Sequence, residues 1–553
     1  MTSPDTEKLH LTTKLAYGAG DFGPAIAANI LVFYLLFFFT NVAGLPPGLA
    51  GSILMIGKIS DAINDPIVGI LSDKTRTRWG RRLPWILGGM IPFALFYSLQ
   101  WIIPQFSNDL SANRWGLFAY YVFIGILFNI AYTTVNLPYT ALTPELTQDY
   151  NERTSLNSFR FSFSIGGSIL SLILYILASI AYPDDPQTRF FILGLSCSIL
   201  GIIALLWCSL RIQEKGREPI LNLTQKKQVG MVLTGVSILG IIYAILRLIP
   251  ATSTFLGGSG NIDYISFFSI LSSLLLLGFG CSLLFAQVEE HLVGQEAKQI
   301  RQDNQEQTDL SFFQQLKIVF NNRPFLFVIG IYLCSWLAVQ LTASILVYFV
   351  VSYMNLGEDT SGLVALAVQG TALIMLFLWQ AVCQKLDKKI VYFMGTGIWI
   401  IAQIGLFLLQ PEQVTLMFIL AIMAGFGVSV AYLIPWSMVP DVIELDELET
   451  GQRREGVFYA FMVLLQKFGL ALGLFLVGVV LEAAGFVEQI PGEPIPTQPE
   501  TALLAIRIAV APLPAIILIV GLVLAYFYPI TREVHAEIRL KLKEKHQGER
   551  EQL

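Results

Sequence analysis

Apolar residues fall along this chain in runs of about twenty, broken by short polar stretches, instead of the half-apolar stripes or strict alternation of water-soluble elements. A bilayer core about 30 Å thick is crossed by about twenty apolar residues of helix, so each run predicts one crossing. The runs lie at 17–40, 47–72, 83–103, 115–143, 158–182 and 189–211, then 229–249 and 264–287, then 324–354, 360–383, 389–409, 414–439, 456–484 and 502–528. The pattern predicts an all-α integral membrane protein with 14 transmembrane helices. A six-helix bundle occupies 1–213, linkers with two additional helices occupy 214–323, and a second six-helix bundle with a polar tail occupies 324–553.

Lysine and arginine are retained on the cytoplasmic side of a membrane, which lets charge test the count. With an internal N-terminus, 28 of the 35 basic residues fall in internal segments, and only Arg114, Arg189 and Arg247 fall outside. The 73–83 loop alone carries Lys74, Arg76, Arg78, Arg81 and Arg82. A miscount by one helix would invert every later loop and destroy this asymmetry. An even number of crossings with both termini cytoplasmic is therefore expected. The pair 229–287 preserves that topology, because two crossings return the chain to the same side. No ionisable group lies in its interior, which predicts a peripheral position without a role in coupling.

Composition narrows the class. Charged residues make up 14% of the 553 and hydrophobic ones 54%, against roughly 25% charged in soluble domains. A net charge of −5 with dispersed basic residues argues against a nucleic-acid partner. The five cysteines are scattered through apolar runs with no CxxC spacing, so neither disulfides nor structural zinc is expected. His10, His291, His535 and His546 all lie in polar segments, which excludes haem or copper held by histidine pairs inside the bilayer. The first sixteen residues are polar, unlike a cleavable leader. No cofactor is implied. The expectation is a monomeric multi-pass protein of the cell membrane (the inner membrane of a bacterium), with lipid around it and a small-molecule solute as its partner.

Charged side chains within crossings cost about 2.5–3.5 kcal/mol each on insertion, and they are functional candidates by default. The run 47–72 carries Lys58, Asp61 and Asp65 in KISDAINDP. Offsets of three, four and seven residues place all three on one helix face. Two carboxylates one turn apart offer hard oxygen ligands to a monovalent cation, Na⁺ or Li⁺, or a place for a proton, since burial raises a carboxyl pKa. Pro66 follows directly and leaves the carbonyl of Ala62 without its helical partner, adding an oxygen to the cluster. In the run 115–143, Thr133, Thr134, Asn136 and Thr140 supply neutral oxygens, although such hydroxyls often bond back to their own helix. Arg160 and Lys467 lie inside later runs, Lys467 too deep to reach the surface comfortably. Together Lys58 and Lys467 form a candidate charge network around the two acids. Tyr34, Trp336, Tyr348, Trp379, Tyr432 and Trp436 are candidates to line a cavity.

Residues 58–89, KISDAINDPIVGILSDKTRTRWGRRLPWILGG, resemble the glycoside–pentoside–hexuronide:cation symporters, a branch of the major facilitator superfamily. YGAGDFGPAIA at 17–27, NLPYTALTPELTQDYNER at 136–153 and PDVIELDELETGQRREGVFYAFMVLLQKFG at 440–469 carry the resemblance into both halves. It implies a fold of two six-helix bundles, here with the extra pair. It also implies that Asp61, Asp65 and Thr133 coordinate a coupling Na⁺, that Lys467 stands near that site, and that Arg160 binds sugar. Two acids by which the melibiose-type members hold sugar are replaced here by Ala25 and Asn136, and a tryptophan by Thr140. Asp21 stands one turn before Ala25. Substrate contacts are therefore expected from Asp21, Asn136, Thr140 and Arg160. The loop after the second run resembles the general facilitator loop, with Asp73, Arg78 and Arg81 as gating residues and Asp441 and Arg453 as their counterparts in the second half.

The reading is cation-coupled symport of a small solute, a sugar or glycoside, by alternating access. Vertebrate lysophospholipid carriers resemble the same family, so carriage of a lysolipid or other amphiphile is the alternative. A membrane enzyme on lipid-linked substrates would need a catalytic cluster at one surface, and none is apparent. A non-transporting receptor or scaffold would have no use for paired acids in mid-membrane.

Overall fold

A computed structural model describes residues 9–147, 150–214, 217–248, 263–286, 318–383, 385–451, 455–489 and 496–551. Among these residues the secondary structure is helical, apart from one isolated β-bridge between Thr77 and Gly80. Most of the polar connector at 288–323, and Arg453, lie outside the described residues.

The chain divides into two compact units. The first comprises Met1–Leu292 with Glu358–Leu363 and Glu488–Ile495, and the second the remainder. In the first unit the principal helices are α1 (Leu11–Phe37), α2 (Pro47–Lys74), α3 (Leu83–Leu99), α4 (Leu110–Thr140), α5 (Tyr150–Ala181), α6 (Pro186–Arg211), α7 (Leu223–Leu248) and α8 (Tyr264–Leu284). The second unit is built mainly from α9 (Arg323–Tyr348), α10 (Glu358–Cys383), α11 (Lys388–Leu408), α12 (Val414–Thr450), α13 (Glu455–Ala483), α14 (Glu500–Val510), α15 (Pro512–Phe527) and a tail helix, α16 (Arg532–Glu551).

Helices begin where the sequence supplies a cap. Asp109, Asp185 and Asp263 each accept the amide three residues on, at 2.7, 3.0 and 2.7 Å, and Asn322 does so at 3.0 Å. Such caps satisfy amides that the first helical turn leaves without partners. Both α1 and α9 end in a π-helical turn, Phe38–Val42 and Phe349–Tyr353.

Helices occupy all fourteen expected segments, but among the described residues twelve are long and apolar enough to cross a membrane. The two that fall short do so for different reasons. Leu83–Leu99 has 17 residues, about 26 Å of helix, whereas the 28 residues of α2 include Lys58, Asp61 and Asp65. The largest boundary error is at α12, which runs through Pro435 and Pro440 to Thr450, eleven residues beyond the expected 439, and ends on Gly451 at φ 71°.

Of the accessory helices, α8 packs on α6 and α7 packs on α8. Trp207 Nε1 donates to Ser282 Oγ at 2.7 Å, and Tyr264 Oη donates to Ser196 Oγ at 2.8 Å. Arg247 and Asp263 pair at 2.7 Å across the gap between α7 and α8. The opposite side of α7 exposes Met231, Val232, Val236 and Leu239. In the second unit the core runs from Phe325 and Tyr332 through Val391, Tyr392, Ile434 and Met438 to Ile538 and Leu542 of the tail helix.

Candidate functional site

α2 and α4 bring the paired acids to Thr133. Gly57, one turn before Asp61, lets the helices approach: a Cβ there would lie 3.1 Å from Asn129 Nδ2. On the other flank a Cβ at Gly89 of α3 would lie 2.9 Å from Thr134 and Val135, so α4 is pressed between its neighbours. Within this sandwich Thr133 Oγ1 stands 3.0 Å from Asp61 Oδ1 and 3.0 Å from Asp65 Oδ1. A hydroxyl has one proton to give, so it bonds one carboxylate at a time and leaves its lone pairs to another ligand. Asp61 and Thr133 are each 2% exposed. Lys58 Nζ lies 3.7 Å from Asp61 Oδ2. The α2 face itself thus carries two acids and one lysine.

The neighbouring hydroxyls behave differently. Thr134 donates to the Ile130 carbonyl at 2.7 Å and Thr140 to the Leu137 carbonyl at 2.9 Å, both within their own helix. Among the described residues Asn136 Oδ1 is buried without a hydrogen-bond partner.

Asp21 and Arg160, flagged separately in the sequence, face one another. Arg160 Nε donates to Asp21 Oδ2 at 3.3 Å. The guanidinium lies 5.8 Å from the centre of the Tyr139 ring and 5.7 Å from that of Phe161. Tyr139 is fixed in turn by its hydroxyl, which donates to the Tyr17 carbonyl at 2.6 Å. Tyr139 and Thr133 both belong to α4, so the Asp21–Arg160 pair and the cation candidates abut the same helix.

In the second unit Lys467 is half-buried on α13. Tyr332 donates to the adjacent Gln466 at 2.6 Å and belongs to a chain of rings with Trp336, Trp436, Tyr432 and Tyr459 at centroid distances of 5.7–6.1 Å.

Of the expected gating residues, Asp73 binds Arg82 closely and lies 3.9 Å from Arg81 Nη1. Arg78 instead stacks on its neighbour Trp79, 4.9 Å from the ring centre. Asp441 is held by Lys388 at 2.7 Å and by His535 of the tail helix at 3.4 Å, while His535 also meets Glu444 at 2.9 Å. Sequence reasoning missed Lys388 and His535 as partners, and it missed Glu214. The carboxylate of Glu214 accepts the amides of Arg81, Arg82 and Leu83 at 2.8, 2.8 and 2.9 Å.

Two carboxylates converging on one hydroxyl suit a small hard cation better than a transition metal. Among the described residues no cluster of three or more His, Cys, Asp or Glu could hold a metal ion.

This chain belongs to the MFS/sugar transport protein family, which it matches over residues 16–232 and 221–532. It is 66% identical to an uncharacterized symporter of Synechocystis sp., over 99% of both chains. It is 27% identical to the sodium-dependent lysophosphatidylcholine symporter 1 of Xenopus tropicalis, over 95% of this chain and 88% of that one. Its fold resembles a D-xylose-proton symporter at a TM-score of 0.52 and 14% identity, over 94% of this chain and 96% of that one. Family, relatives and fold together support a multi-pass, cation-coupled membrane transporter, not an enzyme.

Proposed function

We propose that this protein is a symporter of the glycoside–pentoside–hexuronide:cation type. It carries a sugar or glycoside by alternating access through the cell membrane of a bacterium, with 14 crossings and both termini in the cytoplasm. Asp61, Asp65 and Thr133 take the coupling cation, Na⁺ first and Li⁺ or H⁺ as the other candidates. Lys58 and Lys467 balance the charge, and Asp21, Asn136, Thr140 and Arg160 serve the solute. The observation that carries this reading is the single Thr133 hydroxyl at 3.0 Å from both carboxylates. Paired anions repel one another until a cation or proton joins them. Arrival of the ion neutralises α2 and shifts the balance between conformations, which is the source of coupling.

A second reading, carriage of a lysolipid or other amphiphile, is favoured by the name of the Xenopus relative. It is also favoured by the rings of Tyr432 and Trp436, each 39% exposed in the second unit.

The deciding experiment is the thermal midpoint of the purified protein against Na⁺, Li⁺ and pH, for wild type and Asp65→Asn. A ligand that binds only the folded state raises the midpoint. A Na⁺- or Li⁺-specific rise lost in the variant supports cation symport and directs a screen of sugars and lysolipids in that salt. A response to pH alone assigns the site to protons. Identical behaviour of the two proteins sinks the coupling role of the acids.

A further inference from the structure

The segment that leaves α6 turns back beneath the loop between α2 and α3. Glu214, three residues beyond the end of α6, is 3% exposed. Its carboxylate takes the amides of residues 81–83 at the start of α3, where a helix's first turn supplies no acceptor of its own. The helix dipole further favours an anion at that end. Gly80 makes room for it. This residue has φ 118°, and a Cβ on it would stand 2.1–2.4 Å from the Glu214 carboxylate. The Glu218 amide donates to the Arg78 carbonyl at 2.9 Å, while Thr77 and Gly80 exchange amide bonds at 3.2 Å. The loop closed in this way carries Arg82, whose guanidinium binds Ser72 at 2.7 Å and also Asp73. Past Glu214 the chain enters α7, and Lys226 Nζ of that helix donates back to the Arg211 carbonyl at 3.3 Å.

The second unit repeats the arrangement with the chemistry exchanged. There the loop before α11 supplies the acid, Asp387, whose Oδ1 accepts the Lys389 amide at 2.8 Å. The segment after α15 supplies the donors: the Arg532 amide reaches Asp387 Oδ2 at 2.9 Å, and Arg532 Nη1 reaches the Lys385 carbonyl at 2.8 Å. In each unit the stretch that follows the sixth helix of the bundle fastens the loop between the second and third.

We propose that Glu214 is a positioning residue for transport. It fixes the 75–82 loop and the Asp73–Arg82 pair, and through it the accessory helices α7 and α8 bear on the transport cycle. This role rests on the symporter reading above and gives the accessory pair a part that its uncharged interior does not suggest.

The test is hydrogen exchange of the 75–90 region in the full-length protein, with and without Na⁺, beside the thermal midpoint. Glu214→Ala removes the acceptor, and Gly80→Ala expels it by an independent route. Both variants are expected to speed exchange at amides 81–83 by about tenfold or more. Both should abolish any Na⁺ dependence of that exchange while keeping the Na⁺-induced rise in midpoint, because the cation site is untouched. Lys226→Ala should act in the same direction with a smaller change. Amides 81–83 that stay protected in both variants, or exchange that stays Na⁺-responsive, would overturn the proposal. A wild type whose midpoint ignores Na⁺, Li⁺ and pH removes the transport reading and the positioning role with it. Faster exchange in the variants would then identify Glu214 as a structural cap only.

Discussion

The two units spend their polar residues differently. Around its candidate site the first places charge: Asp21 with Arg160, and Lys58 and Asp61 with Thr133. The second builds its corresponding interior from rings, with Tyr332, Trp336, Tyr432, Trp436 and Tyr459 in sequence and a lysine, Lys467, beside them. Charge recognises charge at a distance and is costly to bury, so it belongs where an ion is captured and released. Aromatic surface recognises shape and apolar faces and requires no counter-charge. On the symporter reading, ion capture and the polar contacts to solute are the work of the first unit, while the second adds aromatic contacts that discriminate among solutes.

The sharpest way to break this division is at Asp65. Asp65→Asn should abolish the cation-induced rise in midpoint, which for wild type at a hundredfold excess over its Kd corresponds to about 2.7 kcal/mol. Thr133→Ala should weaken cation binding by about tenfold, the worth of one hydrogen-bonding ligand to a charge, as read from the cation concentration that half-saturates the midpoint shift. Thr134→Ala and Thr140→Ala, whose hydroxyls bond their own helix, should leave it unchanged. Equal losses at all three positions would mean that the hydroxyls act through the helix and not through the acids.

In the second unit Trp436→Ala should cost about 1–2 kcal/mol in solute affinity, with the cation response intact. Measured for a glycoside and a lysolipid in parallel, the solute that loses more is the one the rings recognise. A loss of cation response would erase the division between the units.

The smallest effect belongs to Asp263, which caps α8 outside the membrane span. Burial works to raise its carboxyl pKa, but hydrogen bonds from Ser266 and Arg247 outweigh this and hold it below the ordinary value. A depressed pKa contributes stability above the unfolded-state value and loses it as pH falls through the folded one. Asp263→Asn keeps a capping oxygen but loses the charge that pairs with Arg247, so it should lower stability at neutral pH by up to about 1 kcal/mol, read as a small drop in midpoint, and the difference should fade under acid.

That the chain is helical and crosses a membrane many times was legible because a bilayer imposes length and apolarity on each crossing, a constraint that leaves its mark on the sequence itself. The face shared by Lys58, Asp61 and Asp65 followed from helical periodicity alone. What stayed hidden was the choice among like groups. Thr133, Thr134 and Thr140 have the same chemistry, and only the approach of α2 permitted by Gly57 selects the first. The pairing of Asp21 with Arg160 spans 139 residues, and no local pattern reports it. Glu214 reads as one charge among several in a polar linker until the amides of α3 are seen above it. The overrun of α12 past Pro435 and Pro440 shows that proline ends a helix only where nothing else holds the chain.

The π-helical turns at the ends of α1 and α9 close with bonds from Ala43 to Phe38 and from Met354 to Phe349, five residues apart in each case. Such a turn holds one residue more than its α-helical counterpart. Chain length is therefore negotiable at these two places. Deleting one residue from 38–42 should restore a plain helix with its flanks in phase, whereas the same deletion at 22–37 would swing everything beyond it by about 100° around the axis. Insertions and deletions among relatives of this chain should be sought first at those two turns.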